Sequence, residues 1–232
     1  VKAVYVGGRL VARNGKPLFK VEPLEVHPAI HHQDRAPQDF LIAHQGPRVR
    51  VRLMEVMSRQ IESMAGEVEM AIWDGHIRPD PNRDIAIIAV ANRYREAPLS
   101  LGFIRGFGLK RGAIASTVAH DSHNIVCVGV DPASMAKAMN EVSRKGGYVA
   151  TDGIREASLE LDVAGLMSTS HIQDVVDNDG RVIDLVRELG CELPSPFMTL
   201  SFQCLLVLPE LKMSDRGLFD SVEMRFVDPV IG

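Results

Sequence analysis

Five consecutive side chains able to carry or share protons, His120-Asp121-Ser122-His123-Asn124, sit between two apolar runs, Ala113 to Val118 and Ile125 to Val130. Imidazole, carboxylate, hydroxyl and carboxamide in so short a segment can transfer protons or hold a heterocycle by its polar edges. The flanking runs predict two buried elements joined by this segment, a rigid support of the kind that places functional side chains. The alternative is a hydrogen-bonded turn of purely structural use. If the segment were helical, His120 and His123 would share a face, but two histidines and a carboxylate fall short of a metal-ligand set. A second histidine-rich stretch, His27, His31, His32, Asp34 and His44, is interrupted by Pro28 and Pro37 and is expected to be an exposed loop rather than a metal site.

Other candidate motifs fail on spacing. Gly106 and Gly108 are followed by Arg111 where a dinucleotide fingerprint needs its third glycine, and the P-loop spacing fails as well. The repeated Gly-Phe of residues 102–112 instead predicts a close backbone approach to another surface, with Arg105, Lys110 and Arg111 at the water edge. Ser134-Met135-Ala136-Lys137 matches S-x-x-K but lacks the companion motifs of serine acyl-enzymes. Arg48, Arg50 and Arg52 alternate with Val49, Val51 and Leu53; the row could bind phosphate, but a strand's solvated face is the preferred reading.

The elements around these residues can be read from local signals. Residues 1–20 form a compact hairpin pattern turned at Gly7-Gly8 and again at Asn14-Gly15. Residues 22–39, punctuated by Pro23, Pro28 and Pro37, make the best internal boundary. Val68 to Ile72 and Asp84 to Ala91 are predicted strands, the second apolar on both faces and hence central. Asp131-Pro132 starts a helix that runs through Met135, Met139 and Val142 to Gly146-Gly147. A second helix covers about Ile172 to Leu189, with Val175, Val176, Val182, Ile183 and Val186 inward. Phe197 to Leu208 is expected to be buried, Ser214 to Gly217 to be a turn, and Val222 to Val227 to be a closing strand. Strands and helices mix without a βαβ period, so the fold class is α+β: a short N-terminal β module (1–21), a linker (22–39), and a mixed sheet packed with helices (40–232).

Composition narrows the function classes. The 232 residues are 46% hydrophobic and 24% charged, with net charge −4, so no basic field suits nucleic acid or anionic lipid. No apolar run reaches the roughly 18–20 residues of a membrane span. Three cysteines without C-x-x-C spacing make a disulfide framework improbable and point to a reducing cytoplasm. The chain opens on Val1 in a strand pattern, as a piece of a longer protein would.

Residues 102–124, Gly-Phe-Ile-Arg-Gly-Phe-Gly-Leu-Lys-Arg-Gly-Ala-Ile-Ala-Ser-Thr-Val-Ala-His-Asp-Ser-His-Asn, strongly resemble the C-terminal domain of bacterial adenine deaminases, in the amidohydrolase superfamily. Matches continue in order through Ala164-Gly165-Leu166-Met167-Ser168, Pro196 to Phe202, Pro209-Glu210-Leu211 and Ser214 to Leu218. The opening Gly7 to Ala12 resembles the β module that resumes after the catalytic barrel of that superfamily.

The resemblance implies the C-terminal portion of a metal-dependent aminohydrolase that converts adenine to hypoxanthine and ammonia. It implies a binuclear divalent centre, Mn or Fe with Zn as the alternative, whose ligands lie in a (β/α) barrel. No two histidines here are spaced H-x-H, and a barrel takes about 250 residues, so no metal ligand is assigned to this chain and, alone, it is expected to be inactive. His120, Asp121 and His123 become candidates for proton transfer or ring orientation, with Ser122 and Asn124 as substrate hydrogen-bond partners, closing over the mouth of the missing barrel. The implied partners are adenine or a related aminopurine, the barrel, and further copies of the chain in a homo-oligomer. One departure bears on substrate: an acidic-Arg-His triplet is expected after the central strand, and Asn92-Arg93-Tyr94 stands there. The alternative function is a non-catalytic nucleobase-binding or oligomerisation module.

Overall fold

A computed structural model describes residues 1–20 and 25–231. Val21, the end of the predicted N-terminal module, and residues 22–24 of the predicted linker, with Pro23, lie outside the described residues.

The first three strands, β1 (Ala3–Val6), β2 (Arg9–Arg13) and β3 (Lys16–Pro17), form a small antiparallel sheet in the order β1-β2-β3. Both predicted turns occur, with Gly7, Gly8, Asn14 and Gly15 all at positive φ. The large sheet contains β4 (Ile42–Ala43), β5 (Arg48–Val56), β6 (Ser63–Trp73), β7 (His76–Ile77), β8 (Ile85–Ala91), β9 (Ser100–Arg105), β10 (Ala113–Ser116), β11 (Ile125–Gly129), β12 (Tyr148–Thr151) and β13 (Glu156–Leu159). Its order is β13-β12-β10-β11-β8-β9-β5-β6-β7-β4. A third sheet joins β14 (Leu211–Ser214), β15 (Gly217–Asp220) and β16 (Arg225–Val227), and the last strand, β17 (Val230–Ile231), pairs with β5. The β5–β9 pair is parallel, which makes the large sheet mixed. The α+β class follows.

The sheet is covered on both faces, which explains the unbroken apolar run of β8, all seven residues of which are buried. Ile85, Ile87, Ala89 and Ala91 pack with Met135, Met139 and Val142 of helix α1 (Pro132–Lys145). Ile88 and Val90 point to the opposite core, with Val182, Leu185 and Val186 of α2 (Ile172–Glu188) and Phe197 and Leu200 of α3 (Pro196–Phe202). The two cores alternate with the pleat. The Asp131 carboxylate accepts from the Ala133 and Ser134 amides, the predicted N-cap of α1.

Three expectations change at the surface. In α2, Val176 is exposed, because the inward stripe follows Val182, Leu185 and Val186 and leaves it on the solvent side. The run from Phe197 is buried only in part: α3 ends at Phe202, and Met198 and Val207 face outward. Strand β16 starts at Arg225, because the Asp220 carboxylate accepts from the Val222 and Glu223 amides and holds that stretch as a turn. The arginine row of β5 is the solvated face: Arg48 pairs with Glu69 at 2.9 Å, Arg50 with Glu67 at 3.6 Å, and Arg52 donates to the Asp228 carbonyl. Residues 25–36 have no regular structure but are anchored, because Arg35 and Asn140 of α1 exchange backbone–carboxamide hydrogen bonds at 2.8 and 2.9 Å. Cys127, Cys191 and Cys204 are free and buried.

Among the described residues no helix is long and apolar enough to cross a membrane.

Candidate functional site

Strands β10 and β11 are antiparallel neighbours, fully buried, and the segment between them emerges at the end of the sheet where β8 also ends, since Ile125 lies opposite Ala91. The support expected for His120 to Asn124 is therefore present. The segment is a turn, not a helix, with His123 at φ 52°. The amide of His123 donates to the Ala119 carbonyl at 2.7 Å and closes the turn.

The five side chains divide by environment. Asp121 and Ser122 are exposed, His120 and His123 are half-buried with ring centroids 5.8 Å apart, and Asn124 is buried. The Ala119 amide donates to His123 Nδ1 at 3.3 Å, so the neutral ring carries its proton on Nε2. Burial, then the neighbouring His120 and Arg93, hold the His123 pKa below its ordinary value, with Asp121 opposing. The result is a neutral imidazole whose Nε2–H can donate a hydrogen bond at neutral pH. The His120 ring lies 5.3 Å from that of Phe202, and its amide donates to Ser201 Oγ at 3.2 Å.

Asn124, expected to touch substrate, is held inward: its Oδ1 accepts from the Arg93 amide at 3.2 Å and its Nδ2 donates to Asp215 at 3.1 Å. Arg93 is itself 3% exposed. Its guanidinium donates to the carbonyls of His123 at 2.9 Å, Pro28 at 3.2 Å and Ala164 at 2.5 Å, and burial lowers its pKa. Gly165 (φ +69°) leaves room for this, since a Cβ there would stand 2.9 Å from the guanidinium. Tyr94 donates its hydroxyl proton to the Ser122 carbonyl at 2.6 Å.

Segments distant in sequence thus meet at one place: residues 92–94, 119–124, 164–165, 201–202 and 215. Asp215 was legible only as part of a turn, yet it accepts from both Asn92 at 2.7 Å and Asn124. A cleft of about 300 Å³ opens beside the segment, lined by Asp121, Ser122, Ser214, Asp215, Arg216 and Phe226.

The Gly-Phe-Gly stretch lies at the other end of β8, where Asp84 accepts from the amides of Gly106 and Gly108 at 3.0 and 2.7 Å. Its close approach is to Gly190, whose carbonyl oxygen would be 2.9 Å from a Cβ at Gly108. Arg105 is half-buried against Glu55 at 2.8 Å, while Lys110 and Arg111 are exposed. Among the described residues no three His, Cys, Asp or Glu side chains converge as metal ligands would.

The family profile described as adenine deaminase C-terminal domain matches residues 60–225. An adenine deaminase of Salinibacter ruber is 41% identical over 230 residues, covering 98% of this chain and 42% of the relative. That of Methanosphaera stadtmanae is 37% identical, covering 98% and 43%, and that of Moorella thermoacetica is 39% identical, covering 100% and 41%. The chain spans about two fifths of the length of the curated relatives it matches.

Proposed function

The chain belongs to the adenine deaminase C-terminal domain family, and from that premise we propose that it is the C-terminal portion of an aminohydrolase converting adenine to hypoxanthine and ammonia. In this reading the turn 120–123 covers the substrate site of a barrel outside this chain. The observation that carries it is the pairing of an exposed Asp121 with a neutral, half-buried His123 on a turn fixed between two buried strands. Such a turn presents a carboxylate and an imidazole N–H to a heterocycle while its backbone stays in place.

The roles follow from environment. Asp121, exposed and facing the cleft, accepts a hydrogen bond from a ring N–H or the exocyclic amine. His123, neutral, donates a hydrogen bond from its Nε2–H to a ring nitrogen and so orients the base. His120, against Phe202, supplies a flat wall for the base. Ser122 adds a hydroxyl at the rim, and Asn124 holds the turn from beneath. A divalent metal is implied for the whole enzyme, but these side chains do not make its ligand set. This chain by itself, with Mn or Fe added, is expected to leave adenine unchanged.

The test is adenine turnover by the full-length enzyme carrying Asp121→Ala or His123→Ala. A fall in kcat/KM of about 100-fold or more is expected if either orients the base or assists proton transfer in the transition state. Near-normal kcat/KM with an intact fold overturns the reading.

A further inference from the structure

We propose that Asp215 is a positioning residue for the 120–123 turn; the proposal deepens the functional reading above and rests on it for its kinetic arm. Two carboxamides with fixed polarity converge on its carboxylate. Asn92 Oδ1 accepts from the amides of Tyr94 at 2.8 Å and Arg95 at 3.1 Å. Asn124 Oδ1 accepts from the amide of Arg93 at 3.2 Å. These backbone donors fix which way each carboxamide points, so both Nδ2 groups must turn the other way. Both meet Asp215, Asn92 at Oδ2 (2.7 Å) and Asn124 at Oδ1 (3.1 Å).

A side chain that must accept at both of its oxygens and donate at neither is a carboxylate. An asparagine at 215 would aim an NH₂ at another NH₂. Among the described residues Asp215 forms no ion pair, and its neighbour Arg216 lies over the Phe226 ring at 5.1 Å. The carboxylate therefore joins three elements at one point: the end of β8 through Asn92, the start of β11 through Asn124, and the β14–β15 hairpin that carries Asp215 itself. The circuit closes through Tyr94, whose hydroxyl reaches the Ser122 carbonyl. Asp121, Ser122 and Asp215 line the same cleft, so what fixes the turn also shapes the space beside it.

Exchange of the two end groups, at 124 and 215, tests the role. Asp215→Asn sets donor against donor, and Asn124→Asp sets carboxylate against carboxylate. In the Asn124→Asp/Asp215→Asn double variant every bond can form again: the asparagine introduced at 215 accepts from Asn92 and donates to the carboxylate introduced at 124, which still accepts from the Arg93 amide. Two readouts are taken on the full-length enzyme: steady-state kinetics with adenine, and amide hydrogen exchange across 92–95 and 119–124.

Each single variant is expected to lose about 10- to 100-fold in kcat/KM, carried by kcat more than by KM, since a misplaced group costs rate rather than affinity. Exchange should quicken in the two loops and stay unchanged in β8 and β11. The double variant should return to within about threefold of the unsubstituted enzyme, as coupled partners do. A double variant no better than the singles overturns the proposal, as does a single variant that leaves both readouts unchanged. Global unfolding of the singles also overturns it, by making Asp215 a residue of the fold rather than of the turn. If the unsubstituted enzyme deaminates no aminopurine, the functional reading falls, and hydrogen exchange alone decides Asp215.

Discussion

The phenolic hydroxyl of Tyr94 donates to the backbone carbonyl of Ser122 at 2.6 Å, joining the residue that follows the buried Arg93 to the centre of the polar turn. Tyr94 is otherwise exposed, so this bond is its principal tie. Tyr94→Phe removes one neutral hydrogen bond of about 1 kcal/mol and little else. The expected result is a roughly fivefold fall in kcat/KM for adenine, with a loss of stability in urea of no more than about 1 kcal/mol. Assays with adenine and a second aminopurine in parallel check it, and also test whether this position discriminates between bases. Unchanged kinetics on both substrates would mean that the tie does not reach the chemistry.

Arg93 makes the opposite prediction, about stability. Its guanidinium serves three carbonyls from three segments, including Pro28 of the irregular N-terminal stretch. Arg93→Met keeps the apolar stem but leaves those carbonyls without their donor. Unsatisfied buried acceptors cost about 1–3 kcal/mol each at most, and relaxation and water recover part of this, so a net loss of about 2–4 kcal/mol is expected. Urea denaturation measures it. A change below about 0.5 kcal/mol, the usual range for surface substitutions, would show that water replaces the guanidinium without cost.

The legibility of these features in the sequence tracks the distance over which each interaction acts. The start of α1 was readable because Asp131 caps amides two and three residues away, and the strand β8 because its burial is written in seven consecutive residues. The support of the 120–124 turn was likewise visible in the apolar runs on either side. Asp215 was not, because its partners lie 123 and 91 residues away and its local setting, Ser214 to Gly217, is fully accounted for as a turn. The inward role of Asn124 was hidden for the same reason: nothing in His-Asp-Ser-His-Asn says which of the five the fold will claim. The anchoring of residues 25–36 depended on Asn140, on the far side of the sequence.

That anchoring carries its own prediction. Asn140 gives and receives a hydrogen bond with the backbone of Arg35, and nearby His32 contacts Ser143 and Asp34 while Arg144 also donates to Asp34. Asn140→Ala breaks the central pair. Limited proteolysis should then cut within residues 25–36 faster than in the unsubstituted protein, with the sheet amides unchanged in exchange rate. Equal cleavage rates would place the anchor elsewhere, at Ile30 or Arg35.

Lys212, in β14, is fully buried, and burial pulls its pKa down from 10.5 to about 8, with Cys204 and Glu62 opposing. Its ammonium donates to the Ile61 carbonyl at 3.0 Å. Below pH 8 the lysine is protonated in both folded and unfolded chains, so it adds no pH dependence. Between pH 8 and 10.5 the folded chain has released the proton that the unfolded chain still holds, and stability from this group rises with pH. Lys212→Met removes the titration and leaves the Ile61 carbonyl without its donor, two effects that offset to within about 1 kcal/mol at pH 7. Urea midpoints collected from pH 7 to 10.5 should therefore show the substituted protein losing ground to the unsubstituted one as pH rises, although other groups tilt both curves together. Parallel curves would mean that Lys212 keeps its proton throughout, and that the Ile61 carbonyl compensates its charge more fully than one hydrogen bond suggests.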